Sequence, residues 1–215
     1  MTNVSATPKK IATRAHLFEI AVRALEKEGW TVERVARSGK SSLRRIKKDK
    51  ISKTVSIRTS QDTWIAFPRN SVDDGWATLS MVDFVVASTV DDRDNPRFAQ
   101  VHLIDGDEMR ERFDRAYRAR RQAGYSMPVG RGIWLSLYDE EGTQPVTLVG
   151  AGAGLAYPPI AKELLSSPSG VDISADLDPE DVELEDAPLS ISEAKRRLAL
   201  TLGVDIDDIS ITIRG

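Results

Sequence analysis

The residues that could do chemistry are chiefly local clusters of positive charge in a chain of net charge −3. Arg44, Arg45, Lys47, Lys48 and Arg58 fall within fifteen positions, on two stretches that read as neighbouring strands. Such a cluster can grip phosphates by charge and by guanidinium hydrogen bonds. It serves equally well as the wet side of two strands. A second run, Arg110, Arg112, Arg115, Arg118, Arg120 and Arg121, shares one helical segment with Asp107, Glu108, Glu111 and Asp114. Spacings of three and four there favour internal ion pairs over phosphate binding. The chain has no cysteine, which excludes disulfides, thiolate metal sites and cysteine nucleophiles. His16 and His102 are the only imidazoles and lie on different segments, so a structural role is expected of both. Ser60, Ser80 and Ser136 lack a nucleophile-elbow context. Gly150, Gly152 and Gly154 follow an apolar stretch, but their spacing does not fit a dinucleotide-binding loop, and Pro158 and Pro159 interrupt the helix such a loop would need. A loop whose glycines allow positive φ is the better account.

The elements that must position these groups follow from periodicity. Residues 12–28 place Ala15, Phe18, Ala21, Val22 and Leu25 on one helical stripe, and Gly29 ends it. Strands are predicted at 30–35, 43–46, 53–58, 62–67, 82–88 and 101–104, the fifth a nearly continuous apolar run suited to burial on both faces. A helix is predicted over 108–122, with Asp105 and Asp107 as cap candidates and Met109, Phe113, Ala116 and Tyr117 as its core stripe. Residues 133–138 and 146–149 read as further strands forming a hairpin. The pattern predicts an α/β class with a central mixed sheet flanked by helices.

Beyond residue 165 the composition changes. Residues 166–188 hold Asp172, Asp176, Asp178, Glu180, Asp181, Glu183, Glu185 and Asp186 and no Lys or Arg, which predicts an acidic linker. Residues 189–215 read as a small helix-strand unit: Ser190 and Glu193 form a capping box, Lys195, Arg196 and Arg197 lie on the helix, and Ile209, Ile211 and Ile213 alternate as a strand. The expected organisation is a disordered 1–12, an α/β domain over 13–165, a linker and this tail. Nothing resembles a signal peptide or a membrane span, so a cytoplasmic location and no membrane partner are expected.

A leading helix, three meander strands, an apolar strand and a further helix make residues 13–123, about half the chain, similar to the PD-(D/E)XK, restriction-endonuclease-like superfamily. Val55-Ser56-Ile57-Arg58-Thr59-Ser60, followed by Asp62-Thr63-Trp64-Ile65, resembles the third core strand, which in active members carries a carboxylate or Gln, any residue, then Lys. Val82-Asp83-Phe84-Val85-Val86 resembles the next strand. Active members hold Mg²⁺ on carboxylates and use the lysine to position or activate water. Ser56 stands at the carboxylate position and Arg58 at the lysine position. A hydroxyl is a poor metal ligand, and a guanidinium that stays protonated cannot act as a base. Glu19 is matched to the helical acid of some members and Asp49 to the acid of the preceding strand.

The resemblance implies a cleavage-inactive nuclease-like protein binding nucleic acid or a nucleoprotein through Arg44, Arg45, Lys47, Lys48 and Arg58, with no cofactor. A different expectation is a regulatory module that recruits a protein partner through 166–215. A third is a nuclease with migrated ligands at Glu19 and Asp49, which alone would call for Mg²⁺.

Overall fold

The computed structural model describes residues 8–35, 42–70, 72–127, 130, 132–165, 209 and 210. It divides into two units, one over Pro8–Asp181 and the other over Met1–Thr7 with Val182–Gly215. The expected linker, tail helix and tail strand lie outside the described residues apart from Ile209 and Ser210.

Helix α1 spans Pro8–Lys27. It opens on a proline, which at a first helical position forfeits no intrahelical bond, and it reaches into the stretch expected to be disordered. Its buried residues are Leu17, Ile20, Ala21, Ala24 and Leu25. The stripe is thus rotated from the one expected: Ala15, Phe18 and Val22 are half-buried flanks. Both sets keep helical spacing on a helix apolar over half its circumference, and contact with the sheet selects between them.

Strands β1 (Thr31–Arg34), β2 (Leu43–Lys48) and β3 (Ile51–Ser60) form the expected antiparallel meander. The chain then crosses over through β4 (Trp64–Pro68) and one 3₁₀ turn (Leu79–Met81) to β5 (Phe84–Val90), which lies parallel to β3. β6 (Phe98–Asp105) returns antiparallel to β5, and β8 (Ala161–Leu164) closes the far edge. The six-stranded mixed sheet runs β1-β2-β3-β5-β6-β8. The chain is therefore α/β, as the pattern predicts.

Helix α2 spans Gly106–Gln122 and is capped by Asp105, whose carboxylate accepts from the backbone N–H of Asp107 (2.8 Å) and Glu108 (3.2 Å). A Cβ on Gly106 would sit 2.5 Å from the Val82 carbonyl, so only glycine lets the helix start against the head of β5.

The predicted hairpin between 133–138 and 146–149 does not form. β7 (Gly132–Ser136) pairs instead with β4 in a separate two-stranded ribbon, and Val146–Leu148 is a 3₁₀ turn. The apolar run at 146–149 reads as a strand by composition, but Gly150 turns the chain there: its φ is +84° and an added Cβ would lie 2.5 Å from the Arg112 carbonyl. A four-residue helix α3 (Ala153–Ala156) follows, and neither it nor β8 has a clear sequence signal. On one sheet face α1 covers Ile46, Val55, Ile57, Val86 and Val101. On the other, α2 and the β4–β7 ribbon enclose Leu43, Val85, Ala87, Ile104, Phe113 and Leu135.

Candidate nucleic-acid interface

The basic cluster is carried by the β2–β3 hairpin, which reverses at Asp49 and Lys50 beyond the closing pair Lys48 and Ile51. Asp49 has φ +53°, a conformation Asp tolerates better than most residues. Matched in the sequence to a strand acid, Asp49 is a turn residue at the end of the hairpin remote from Ser56.

Alternation along β2 sends its cations to two different faces. Arg44 turns toward α1, is 6% exposed, lies 4.8 Å from the Phe18 ring and donates to the Leu43 carbonyl at 2.9 Å. Arg45 points to the opposite face and is exposed. Lys47 shares that face and pairs with Glu33 at 2.8 Å. Lys48 returns to the α1 side, where Nζ donates to the Glu28 carbonyl at 2.7 Å near the Trp30 ring. The single basic surface expected from the sequence is therefore divided, and Arg44 is packed inside rather than displayed.

Two further cations join the hairpin. Lys50 is exposed at the turn, and Lys53 bonds Asp83 at 2.9 Å. Asp83 also accepts from the Thr54 backbone N–H at 2.8 Å, and that bond, ahead of the Lys53 ammonium, holds its carboxyl below the usual aspartate range against the opposing effect of burial. Among the described residues Arg45 and Lys50 make no ion pair or side-chain hydrogen bond. The signal that reveals Lys50 and Lys53 was available in the sequence: Leu43 to Ser60 contains seven Lys and Arg against Asp49 alone.

Ser56 and Arg58 face the α2 side, because their partners across the sheet are Leu43, Val85 and Ala87 of that core. Ser56 is fully buried and its hydroxyl has no hydrogen-bond partner among the described residues. Arg58 lies 4.3 Å from the Phe67 ring and donates to the Thr78 hydroxyl at 2.7 Å. Thr78 holds φ +65° on a β-branched residue, a backbone strained by ~1–3 kcal/mol, beside its bonds to Arg58 and the Ala77 carbonyl. Glu19 does not join this group. It sits on α1, across the sheet, within 4.0 Å of Arg23 and 3.9 Å of His16. Glu19, Asp49, Ser56 and Arg58 are thus not brought to one place, and Phe67 and Thr78 are the partners of Arg58 that sequence reasoning missed. Their contact depends on the crossover path between β3 and β5, which leaves no local pattern.

Most arginines of α2 are engaged internally, but only Arg110 with Asp107 and Arg112 with Glu108 use the expected spacing. Arg118 is exposed without an ion pair or side-chain hydrogen bond among the described residues. Arg112 pairs with Glu108 at 2.7 Å and donates to the Ala151 carbonyl. Arg115 forms a two-bond pair with Glu141 at 3.0 and 3.2 Å. Arg120 donates to the Trp134 carbonyl at 2.7 Å, and Arg110 to those of Leu79 and Val82. Gly150 and Gly152 have positive φ and serve this packing rather than an open phosphate loop. Among the described residues, no helix is long and apolar enough to cross a membrane. No family model, curated protein or solved structure matches the chain.

Proposed function

We propose that the chain binds the phosphate backbone of a nucleic acid through the exposed end of the β2–β3 hairpin, on a restriction-endonuclease-like core that has lost its cleavage residues. The core reading is supported by the order of α1, the antiparallel meander β1–β3, the parallel β5 and the later α2. The loss of cleavage is supported by Ser56 and Arg58 at the two positions that matter in that resemblance.

One observation carries the binding reading. The hairpin presents Arg45, Lys47, Lys48 and Lys50 to solvent with Asp49 as its only acid, and two of these cations, Arg45 and Lys50, are uncommitted. Phosphates are recognised by such clusters through displacement of counterions, so affinity falls with salt in proportion to the number of contacts. Arg58 then has a positioning part, since its charge is spent on Phe67 and Thr78.

The test is a titration of a fluorescent 25-base-pair DNA, its RNA equivalent and single strands from 50 to 300 mM salt. The wild-type chain should bind at low salt with a slope that shrinks by about 1.8 in Arg45→Ala/Lys50→Ala, near 0.9 per phosphate contact. Absence of binding at 50 mM, or an unchanged slope in the double variant, would reject the hairpin as the interface.

A further inference from the structure

We propose that His102 is a proton-operated latch holding the turns at Tyr138 and Tyr157 against the central sheet. His102 lies on β6 and is fully buried. Its Nδ1 is 2.6 Å from the Tyr157 carbonyl oxygen and its Nε2 is 2.8 Å from the Tyr138 hydroxyl. That hydroxyl is 3.1 Å from the Thr89 hydroxyl on β5. One imidazole thus joins β6 to two turns, and one phenol continues the chain to β5.

The direction of every proton follows from the carbonyl. A carbonyl only accepts, so Nδ1 carries the hydrogen and Nε2 of the neutral ring is an acceptor. Tyr138 therefore donates to Nε2, and Thr89 donates to Tyr138. A second proton on the ring reverses this order. Nε2 would then donate to Tyr138, Tyr138 to Thr89, and the Thr89 proton would face no other acceptor among the described residues. A charge and an orphaned hydroxyl proton would share one buried site, each of them costly.

The surroundings supply no compensating carboxylate at the ring. From the turn after β7 it meets Tyr138 and from the turn after α3 the carbonyl of Tyr157, while its partner across on β5 is Ala87 and Thr89 is reached only through the Tyr138 hydroxyl. Asp91, on the β5–β6 connection, acts on the Tyr138 phenol, while Glu108, Asp105 and Arg112 act on the Tyr157 phenol. Burial holds His102 below its ordinary 6.5 and raises the Tyr138 phenol, so both stay neutral near pH 7.

β8 has ties of its own, a ladder to β6 over Ala161–Leu164 and the bonds of Glu163 to Arg23 and Lys27, so the latch acts on the turns that precede it. Tyr157 stands four residues before β8, which the Ile160 N–H enters by donating to the Val101 carbonyl at 2.8 Å. A form in which these turns lift off exposes His102, restores its ordinary affinity for protons and so gains population as pH falls below about 6.5. Above that value the latch is complete.

Hydrogen exchange of the full chain tests this. Protection factors of the Gly154 and Ile160 amides, which bond the Leu137 and Val101 carbonyls, should fall by up to tenfold per pH unit below 6.5 relative to hairpin amides of β2 and β3. The His102→Gln variant should lose that dependence. Because this variant could also misfold, the ¹⁵N signals of His102 in the wild-type chain provide a second measurement. They should report the Nδ1–H tautomer and a titration below 6.5. Protection independent of pH, the Nε2–H tautomer, or titration at or above the ordinary value would overturn the latch.

Discussion

The β2–β3 hairpin and helix α2 are both rich in cations, yet they use them in opposite ways. On α2, Arg112 and Arg120 are 8% and 7% exposed and spend their donors on backbone carbonyls of the segment packed over the helix. On the hairpin, Arg45 and Lys50 are exposed and uncommitted. A guanidinium can hold a fold together or wait for a partner, and the number of arginines in a stretch does not distinguish the two. What distinguishes them is whether another part of the chain brings carbonyls and carboxylates within reach.

The largest effect should come from removing a structural arginine. Arg112→Ala would strip Glu108 and the Ala151 carbonyl of their shared donor, and a loss of about 3 kcal/mol is expected in denaturant unfolding. Its nucleic-acid affinity per folded molecule should be unchanged. If affinity fell while stability held, the division between the two regions would be wrong.

Next comes the hairpin itself. Arg45→Ala/Lys50→Ala should weaken duplex binding by roughly 30-fold at 0.15 M salt. Its unfolding midpoint should stay within about 0.5 kcal/mol of wild type, as for exposed side chains without partners.

Acid should act on the α2 side. Burial pushes the Glu141 carboxyl up, but the Arg115 hydrogen bonds and the Gly150 N–H at 2.9 Å outweigh it and hold the group below its ordinary 4.5. A depressed carboxylate stabilises the fold above the unfolded value and loses that contribution as pH falls through the folded one. Glu141→Gln should therefore flatten the stability profile below pH 4.5. The group is partly solvated, so the change is well under about 1 kcal/mol. An identical profile in the variant would show that the bonds of Glu141 to Arg115 and the Gly150 N–H carry none of the acid dependence.

The smallest effect is expected at Glu33. Its pairing with Lys47 at 2.8 Å is exposed and screened. Glu33→Gln should free that lysine and raise affinity by less than about threefold. A tighter effect would mean that Glu33 repels the ligand directly.

The comparison also marks what pattern reasoning can reach. Period-two alternation located β3 and β4, and in β3 Val55 and Ile57 do share the face packed on α1, although Ser56 between them is buried as well. It failed at Val146–Leu148, where an apolar run is bent into a 3₁₀ turn by Gly150 against α2. It rotated the stripe of α1, since local spacing admits two faces and only the sheet chooses. At the candidate site, Ser56 and Arg58 were found together, but their burial, the Phe67 ring and Thr78 were not. Glu19 was grouped with them by order along the chain, and the sheet puts it on the far side.

The sequence by itself determined the α/β class, the positions of the meander and the excess of cations between residues 43 and 60. These depend on neighbours along the chain, through side-chain alternation and charge counting. The tertiary structure decided which cations remain available, which core each strand residue faces and what His102 touches. Those outcomes depend on groups such as Phe67, Tyr138 and the Ala151 carbonyl, which are distant in the sequence and meet only after the crossover and the turns have closed.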